Sequence, residues 1–281
     1  MFKLLSLRRF LNQSVLNGVG AILVVLVLFL GIFGEALAPY STTKTSPKDR
    51  FQAPSAQHWM GTDNFGRDVF SRVVAGARVS LQVALVVLSI SVVIGLIVGM
   101  VAGVAGGLTD EILMRVTDLF LAFPALVFAA VIATTLGRNL TNTMIALSTV
   151  YWPWYARLIR SQVLTIAQQE YITATEAIGV PRWRMLWRHV LPNVVPLVLV
   201  QISLDIGYAI LSTSSLSFLG LGAQPPSPEW GAMLTAARQF VREAWWYMTF
   251  PGLALSLTVL GFNLLGDGLR DFLDPRMRGR I

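Results

Sequence analysis

The 281-residue chain has no cysteine, two histidines and only 13% charged residues. Without cysteine it cannot form a disulfide, use a thiolate nucleophile or bind a metal through sulfur. His58 and His189 lie far apart in the sequence and form no HExxH motif. The sequence therefore indicates neither a zinc hydrolase nor an enzyme that uses a Ser-His catalytic site. A GxxxxGK[ST] phosphate loop is also missing, so the chain has no evident means of binding ATP. We therefore expect a protein that is not an enzyme and binds no metal or cofactor itself.

Long apolar segments dominate the sequence instead. Hydrophobic residues make up 54% of the chain, and the mean hydropathy is +0.63, which is typical of integral membrane proteins. A helix needs about 20 mainly apolar residues to cross a bilayer. Six segments qualify: Asn17 to Ala38, Val79 to Val104, Val116 to Gly137, Asn142 to Ile159, Pro192 to Leu219 and Trp246 to Leu265. Ala36-Leu37-Ala38 resembles a signal-peptide cleavage site, but five spans follow, so we expect an uncleaved first helix.

The basic residues give the chain a net charge of +7. They are scattered between apolar segments, which suits anionic lipid headgroups better than nucleic acid. An even number of spans places both termini on one side of the membrane. If that side is the cytoplasm, 13 basic residues lie in or next to cytoplasmic segments and nine lie outside, which favours a cytoplasmic location for both termini. Six of those nine lie in residues 40–78, where "GTDNFGRD" indicates a folded loop or an interfacial helix.

Two acidic residues lie within predicted spans. Asp118 follows Arg115 by three residues on the same helix face, which favours a structural ion pair or an interfacial position over a transport role. Asp205 lies deeper, near Tyr208 and Ser212. These three residues either face a polar translocation path or make a buried contact between helices, and the sequence leaves both interpretations open.

Glycines repeat every fourth residue along the second predicted span, at Gly95, Gly99, Gly103 and Gly107. This spacing puts them on one helix face, where another helix can approach closely. The pattern predicts helix packing and does not by itself indicate a function.

The segment from Glu170 to Pro192 lies between two of the most apolar parts of the chain. Its first part predicts a short helix with small residues on one face, at Ala174 and Ala177. Gly179 and Pro181 then predict the end of that helix and the start of another. A short helix with so little apolar surface fits a groove on a partner protein.

The second helix of this segment is amphipathic. An apolar stripe lies at helical spacing and basic residues surround it, which predicts a helix along the membrane surface. The stripe consists of Trp183, Leu186, Trp187 and Val190. Leu191-Pro192 is then expected to turn the chain into the fifth span.

The same segment resembles the EAA loop of ABC-importer permease subunits. The matching residues are Glu170, Ala174, Gly179, Leu191 and Pro192, while Tyr171 and Ile172 replace two alanines of the motif and His189 an isoleucine. Four further motifs are similar to the second permease of dipeptide and oligopeptide (nickel) importers, the DppC and OppC type. They are "GTDNFGRDVFSRVVAGARVSL", "RVTDLFLAFPAL", "LSFLGLGAQPPSPEWGAML" and "NLLGDGLRDFLDPR".

The resemblance implies an all-α, polytopic membrane protein with six transmembrane helices, the type I ABC-importer permease fold and a cytoplasmic coupling helix. Its expected division is a cytoplasmic segment (1–16), a first transmembrane helix (17–38), a periplasmic connector (39–78) and a permease core (79–281) containing the coupling loop (170–192). Residues expected to contact an ATPase subunit are Glu170, Tyr171, Ala174, Ala177, Gly179 and Arg182. The bacterial inner membrane is the expected location.

The resemblance also implies partners: a second permease of the DppB or OppB type, two ATP-binding subunits that hold ATP and magnesium, and an extracytoplasmic substrate-binding protein. Di- or oligopeptides are the expected substrates, with nickel, opines or oligosaccharides as alternatives. An ion-coupled carrier using Asp118 and Asp205, or a membrane scaffold without transport, is the competing interpretation from another class.

Overall fold

The computed structural model describes residues 14–273, which are mostly helical. Within this range, extended pairing is limited to an isolated bridge between Thr62 and Asp68. The helices are α1 (Val15–Leu37), α2 (Val69–Ala105), α3 (Gly107–Leu121), α4 (Ala125–Leu136), α5 (Leu140–Ala167), α6 (Glu170–Ala177), α7 (Arg182–Met185), α8 (Leu191–Phe218), α9 (Trp230–Ala237) and α10 (Trp245–Leu273). The predicted segment 1–16 lies mostly outside the described residues, as do residues 274–281 of the predicted core.

The predicted all-α membrane architecture is confirmed, but the count of six spans is not. Four stretches of the described chain are long and apolar enough to cross a bilayer, and a bent pair of helices raises the number to five. The remaining candidate, α5, is long enough but carries Arg157 and Arg160 in its second half. Because protein packs around much of α5, its sequence needs less lipid-compatible surface than that of a peripheral span.

The third predicted span, Val116 to Gly137, is not one helix. It is divided between α3 and α4, whose axes meet at 86°. Pro124 explains the break, because it lacks an N–H to continue the helix and drives Phe123 away from helical geometry. This region therefore contains two short helices that pack against α5.

The most extensive helix contact is between α2 and α5. A β-carbon at Gly99 would lie 2.6 Å from the carbonyl oxygen of Ala156, so only glycine permits this approach. Gly95 faces the backbone of α5 in the same way, and Gly103 faces Val163. Three of the four glycines thus form the predicted packing face, whereas Gly107 is the first residue of α3 and has open space around it.

The glycine contacts also fix the directions of the helices. Residue numbers rise together along α2 and α5, so these two helices are parallel, whereas α1 and α10 run antiparallel to each other, with Gly20 beside Leu264. The described ends of the chain consequently lie at the same end of the bundle as α6. We call this the α6 end, and the opposite end the connector end.

A folded connector, residues 38–68, covers the connector end, and α2 begins at Val69, inside the stretch that the sequence assigned to the connector. Asp63 is fully buried at its centre. Its carboxylate accepts a hydrogen bond from Nε of Arg67 at 2.6 Å and lies 3.7 Å from Nε of Arg72. The "GTDNFGRD" motif is thus a folded loop organised around a buried ion pair.

Hydrogen bonds tie this connector to the last third of the chain. The guanidinium of Arg72 donates to the carbonyl oxygens of Thr42, at 2.6 Å, and Pro226, at 3.2 Å. The indole N–H of Trp246 donates to the carbonyl oxygen of Thr62 at 3.1 Å. The connector is therefore part of one folded layer with the loop before α9 and the start of α10.

We expect Gly99→Val to destabilise the protein by about 1–3 kcal/mol, because the added atoms would overlap the backbone of α5. The measurement is the thermal unfolding midpoint of the purified permease complex in detergent. Gly18→Val in α1 is the matched control, since no atom lies within 4 Å of a β-carbon placed there. Equal midpoints for the two variants would contradict the packing role.

A second expectation concerns the connector. Asp63→Asn removes the buried charge that faces Arg67 and should cost about 3 kcal/mol or more, because the guanidinium loses its compensating charge. The control, Glu35→Gln, removes an exposed partner of Arg78 and should cost less than about 1 kcal/mol. Thermal unfolding of the purified complex compares them, and similar losses would show that the Asp63 pair has no special structural role.

Candidate functional site

The short helix α6 projects from the α6 end of the bundle and contacts the end of α5 and α7. Glu170 lies in its first turn and is exposed, as are Ala174 and Ala177. Gly179 follows with φ = 80°, and the N–H of Val180 donates to the carbonyl oxygen of Thr175 at 3.3 Å. This bond and the left-handed glycine are the elements of a Schellman cap, so the helix ends where the sequence predicted.

Among the described side chains of α6, two make the contacts that attach it to the rest of the protein. Ile172 is 2% exposed and provides the apolar anchor. The Tyr171 ring lies 6.3 Å from the His189 ring, measured between centroids. In contrast, Ile178 is 79% exposed although it is large and apolar. The surface formed by Glu170, Ala174, Ala177 and Ile178, which we call the α6 surface, therefore lacks cover within the described chain.

The chain from Arg182 to Phe218 is helical throughout, which corrects the predicted turn at Leu191-Pro192. A five-residue π-helical turn, Leu186–Val190, connects α7 to α8. Trp187 in this turn is 65% exposed, whereas Val190 is buried. The apolar residues of the predicted surface helix thus divide between the outside and the protein core. The side chains of Arg182 and Trp183 lie outside the described part of the structure.

A cavity of about 330 Å³ lies between the membrane-spanning parts of α5 and α8. Its lining contains one carboxylate and a set of aromatic rings. The lining residues are Ala125, Tyr151, Trp154, Tyr155, Leu158, Gln201, Asp205 and Tyr208. Asp205 lies near the middle of α8, about 20 Å along the helix axis from either end.

Two hydrogen bonds hold the Asp205 carboxylate. The hydroxyl of Tyr155 donates to one oxygen at 2.6 Å, and the side-chain amide of Gln201 donates to the other at 3.0 Å. The Tyr155 bond joins α5 to α8 across the cavity. Tyr151 reinforces this join one turn away, where its hydroxyl donates to Ser212 at 2.7 Å and its ring stacks on Tyr208.

The structure brings together the three residues that the sequence proposed for a polar path. Asp205 and Tyr208 line the cavity, while Ser212 is buried beside it and bonded to Tyr151. Sequence reasoning missed Tyr151, Tyr155 and Gln201. Their helical spacing was a usable signal, because Tyr151 and Tyr155 lie four residues apart, as do Gln201 and Asp205.

Asp118 forms a structural ion pair, one of the two roles that the sequence favoured, but Arg115 is not its partner. Asp118 pairs with Arg157 of α5 at 2.5 Å, and Arg115 lies 3.9 Å from Glu111. A second pair, between Arg160 and Asp110, also joins α5 to α3. Ion pairs therefore connect α3 to the part of α5 that leads into α6.

Comparison with known proteins identifies the class to which this architecture belongs. Residues 95–279 match the family described as binding-protein-dependent transport system inner membrane component. A solved structure of the MetNI methionine ABC transporter in an inward-facing conformation has the same fold, with a TM-score of 0.58 and 18% sequence identity. The match covers 72% of this chain and 96% of that one.

Relatives match almost the whole chain. The dipeptide transport system permease protein DppC of Alkalihalophilus pseudofirmus is 44% identical, over 95% of this chain and 88% of the relative. DppC of Escherichia coli strain K12 is 48% identical, over 92% and 89% of the two chains. The glutathione transport system permease protein GsiD of Pectobacterium atrosepticum is 42% identical, over 96% and 90%.

The chain therefore belongs to the family of inner-membrane components of binding-protein-dependent transport systems. Within it, the chain is a permease of the DppC type, a membrane subunit of an ABC importer, and this confirms the resemblance that its motifs indicated.

Proposed function

We propose that this subunit pairs with a second, DppB-like permease and forms with it the translocation path for di- or oligopeptides. The identity of 42–48% to permeases named for dipeptide and glutathione transport, across more than nine-tenths of this chain, carries the proposal. A binding protein outside the membrane delivers the peptide, and two ATPase subunits hydrolyse ATP. Nickel, opines and oligosaccharides remain the alternative cargoes within the same type of importer.

The α6 surface is the proposed contact with an ATPase subunit. The residues proposed to contact the ATPase, on this surface and next to it, are Glu170, Tyr171, Ala174, Ala177, Gly179 and Arg182. Its small exposed side chains and the exposed Ile178 support this role, because they present a narrow projection that fits a cleft. The Schellman cap at Gly179 gives the projection a fixed end.

The α6 end of the bundle is accordingly proposed to be cytoplasmic, with both termini on that side. Charge supports this orientation once the fold is considered. Arg67 and Arg72, which counted against it in the sequence, are buried in the connector layer and have structural partners there. The connector end would then face the periplasm and the binding protein.

Movement of α6 has a direct route to the cavity. The coupling loop, residues 170–192, connects α5 to α8. These two helices line the cavity and are joined there by the hydrogen bond from Tyr155 to Asp205. A displacement of α6 by the ATPase would change the relation between them. For this displacement to drive transport, the ATPase must contact two permease states with different free energies. The proposed path accordingly includes Asp205, Tyr208 and Ser212.

The test of the function is uptake of a labelled dipeptide, Ala-Ala, into proteoliposomes that contain both permeases and both ATPase subunits. We expect uptake that requires ATP and the binding protein and persists when ion gradients are abolished. Uptake that survives ATP depletion but collapses with the gradient would identify the competing ion-coupled carrier. No uptake by the intact assembly would reject peptide transport and would also leave the membrane scaffold as an option.

Substitutions on α6 should separate ATP hydrolysis from transport. We expect Glu170→Ala and Gly179→Leu each to lower uptake per ATP hydrolysed roughly tenfold, while the subunits still insert. Leucine is strained at φ = 80° and would disturb the end of α6.

Matched controls lie at the connector end. Glu243→Ala removes another exposed acidic side chain. Gly220→Leu imposes the same backbone strain, since Gly220 has φ = 79° and, like Gly179, no atom within 4 Å of a β-carbon. We expect both controls to retain the wild-type ratio of uptake to hydrolysis. The assignment of α6 fails if the α6 variants and the controls have equal ratios.

A further inference from the structure

The cavity between α5 and α8 contains an acidic group without a basic partner. Among the described side chains, no lysine, arginine or histidine forms an ion pair with Asp205, whereas Asp110 and Asp118 each pair with an arginine. An ionised carboxylate offers about four acceptor positions. Tyr155 and Gln201 use two of them, so the carboxylate can accept further hydrogen bonds from a molecule in the cavity.

Aromatic rings form much of the remaining wall. Tyr151, Trp154, Tyr155 and Tyr208 line the cavity, and the Trp154 side chain is 62% exposed in this chain. Cations are attracted to the faces of such rings, more strongly when water is excluded. A carboxylate and several aromatic rings together are the complement of an organic cation, and they disfavour an anion.

We propose that Asp205 and these rings form a binding site for the ammonium group of the transported molecule. The inference rests on the proposed function and makes it more specific, because the ammonium group would be the free amino terminus of the peptide. The volume of about 330 Å³ is at the lower end of the range for small-molecule sites, so it suits one end of a peptide better than a long chain.

The hydrogen bonds to Asp205 suit a site through which a substrate passes. Tyr155 and Gln201 stabilise the carboxylate when the cavity is empty, and this reduces the cost of holding a charge in the membrane. An arriving ammonium group adds to these contacts or replaces one of them. The substrate therefore gains a modest interaction, strong enough for entry and weak enough for release, as transport requires.

The test measures binding to the assembled complex of both permeases and the ATPase subunits in lipid nanodiscs, without the binding protein. Saturation-transfer difference NMR detects weak contacts of three probes: Ala-Ala, N-acetyl-Ala-Ala and propylammonium. We expect Ala-Ala and propylammonium to bind the wild-type complex and the acetylated peptide to bind at least tenfold more weakly, because acetylation removes the ammonium charge. This comparison needs no variant that could fail to fold.

Asp205→Asn keeps the shape of the side chain and removes its charge. We expect it to reduce binding of Ala-Ala and propylammonium about tenfold or more, to the level of the acetylated peptide. Ser203→Ala is the control on the same helix, because the Ser203 hydroxyl bonds to the carbonyl oxygen of Val200 in its own helix. We expect it to bind the probes as the wild type does.

Equal binding of the free and acetylated peptides, or unchanged binding by Asp205→Asn, would overturn the proposal. Absence of binding by all three probes would also overturn it, since a basic side chain of the second permease would then be the natural occupant. Uptake separates this result from the proposed function. Dipeptide uptake without Asp205-dependent binding rejects only the ammonium site, whereas Asp205-dependent binding of propylammonium without dipeptide uptake rejects only the peptide cargo.

Discussion

The close parallel contact of α2 and α5 is the constraint on which the rest of the structure depends. Gly95, Gly99 and Gly103 allow the two backbones to approach, since lipid provides no hydrophobic force to hold helices together and close packing must do so. This contact places α5 inside the bundle. Tyr155 shows the consequence, because its Cβ packs beside Gly95 while its hydroxyl reaches Asp205 on α8.

Several charged groups of the described chain are held in ion pairs between or within its elements. Where α5 approaches the α6 end, Arg157 and Arg160 pair with acidic residues of α3, and at the connector end Asp63 pairs with Arg67. Such pairs compensate charges that protein or lipid would otherwise leave unsolvated. Asp205, in the middle of α8, has only neutral donors among the described side chains. The Asp205 carboxylate is therefore suited to pair transiently with a positively charged group of a transported molecule.

The proposed coupling needs only one segment of the chain, because that segment joins α5 and α8, the two helices that line the cavity. α6 follows α5 directly, and α7 with its π-helical turn leads without interruption into α8. A rigid helical connection transmits displacement better than a flexible loop. The cavity and the α6 surface are thus separated by about 20 Å along α5 and α8, yet they are parts of the same two elements.

The sequence by itself determined the membrane class, the helical content, the end of α6 at Gly179 and the importer family. These depend on local composition, on glycine geometry and on motifs that are contiguous in the chain. It did not reveal the 86° break before Pro124, because the apolar composition of residues 116–137 is also that of a continuous span. Only the tertiary structure decided that Asp118 pairs with Arg157 and that Tyr155 and Gln201 hold Asp205. Those outcomes depend on which helix faces which, and packing between segments distant in sequence sets that arrangement.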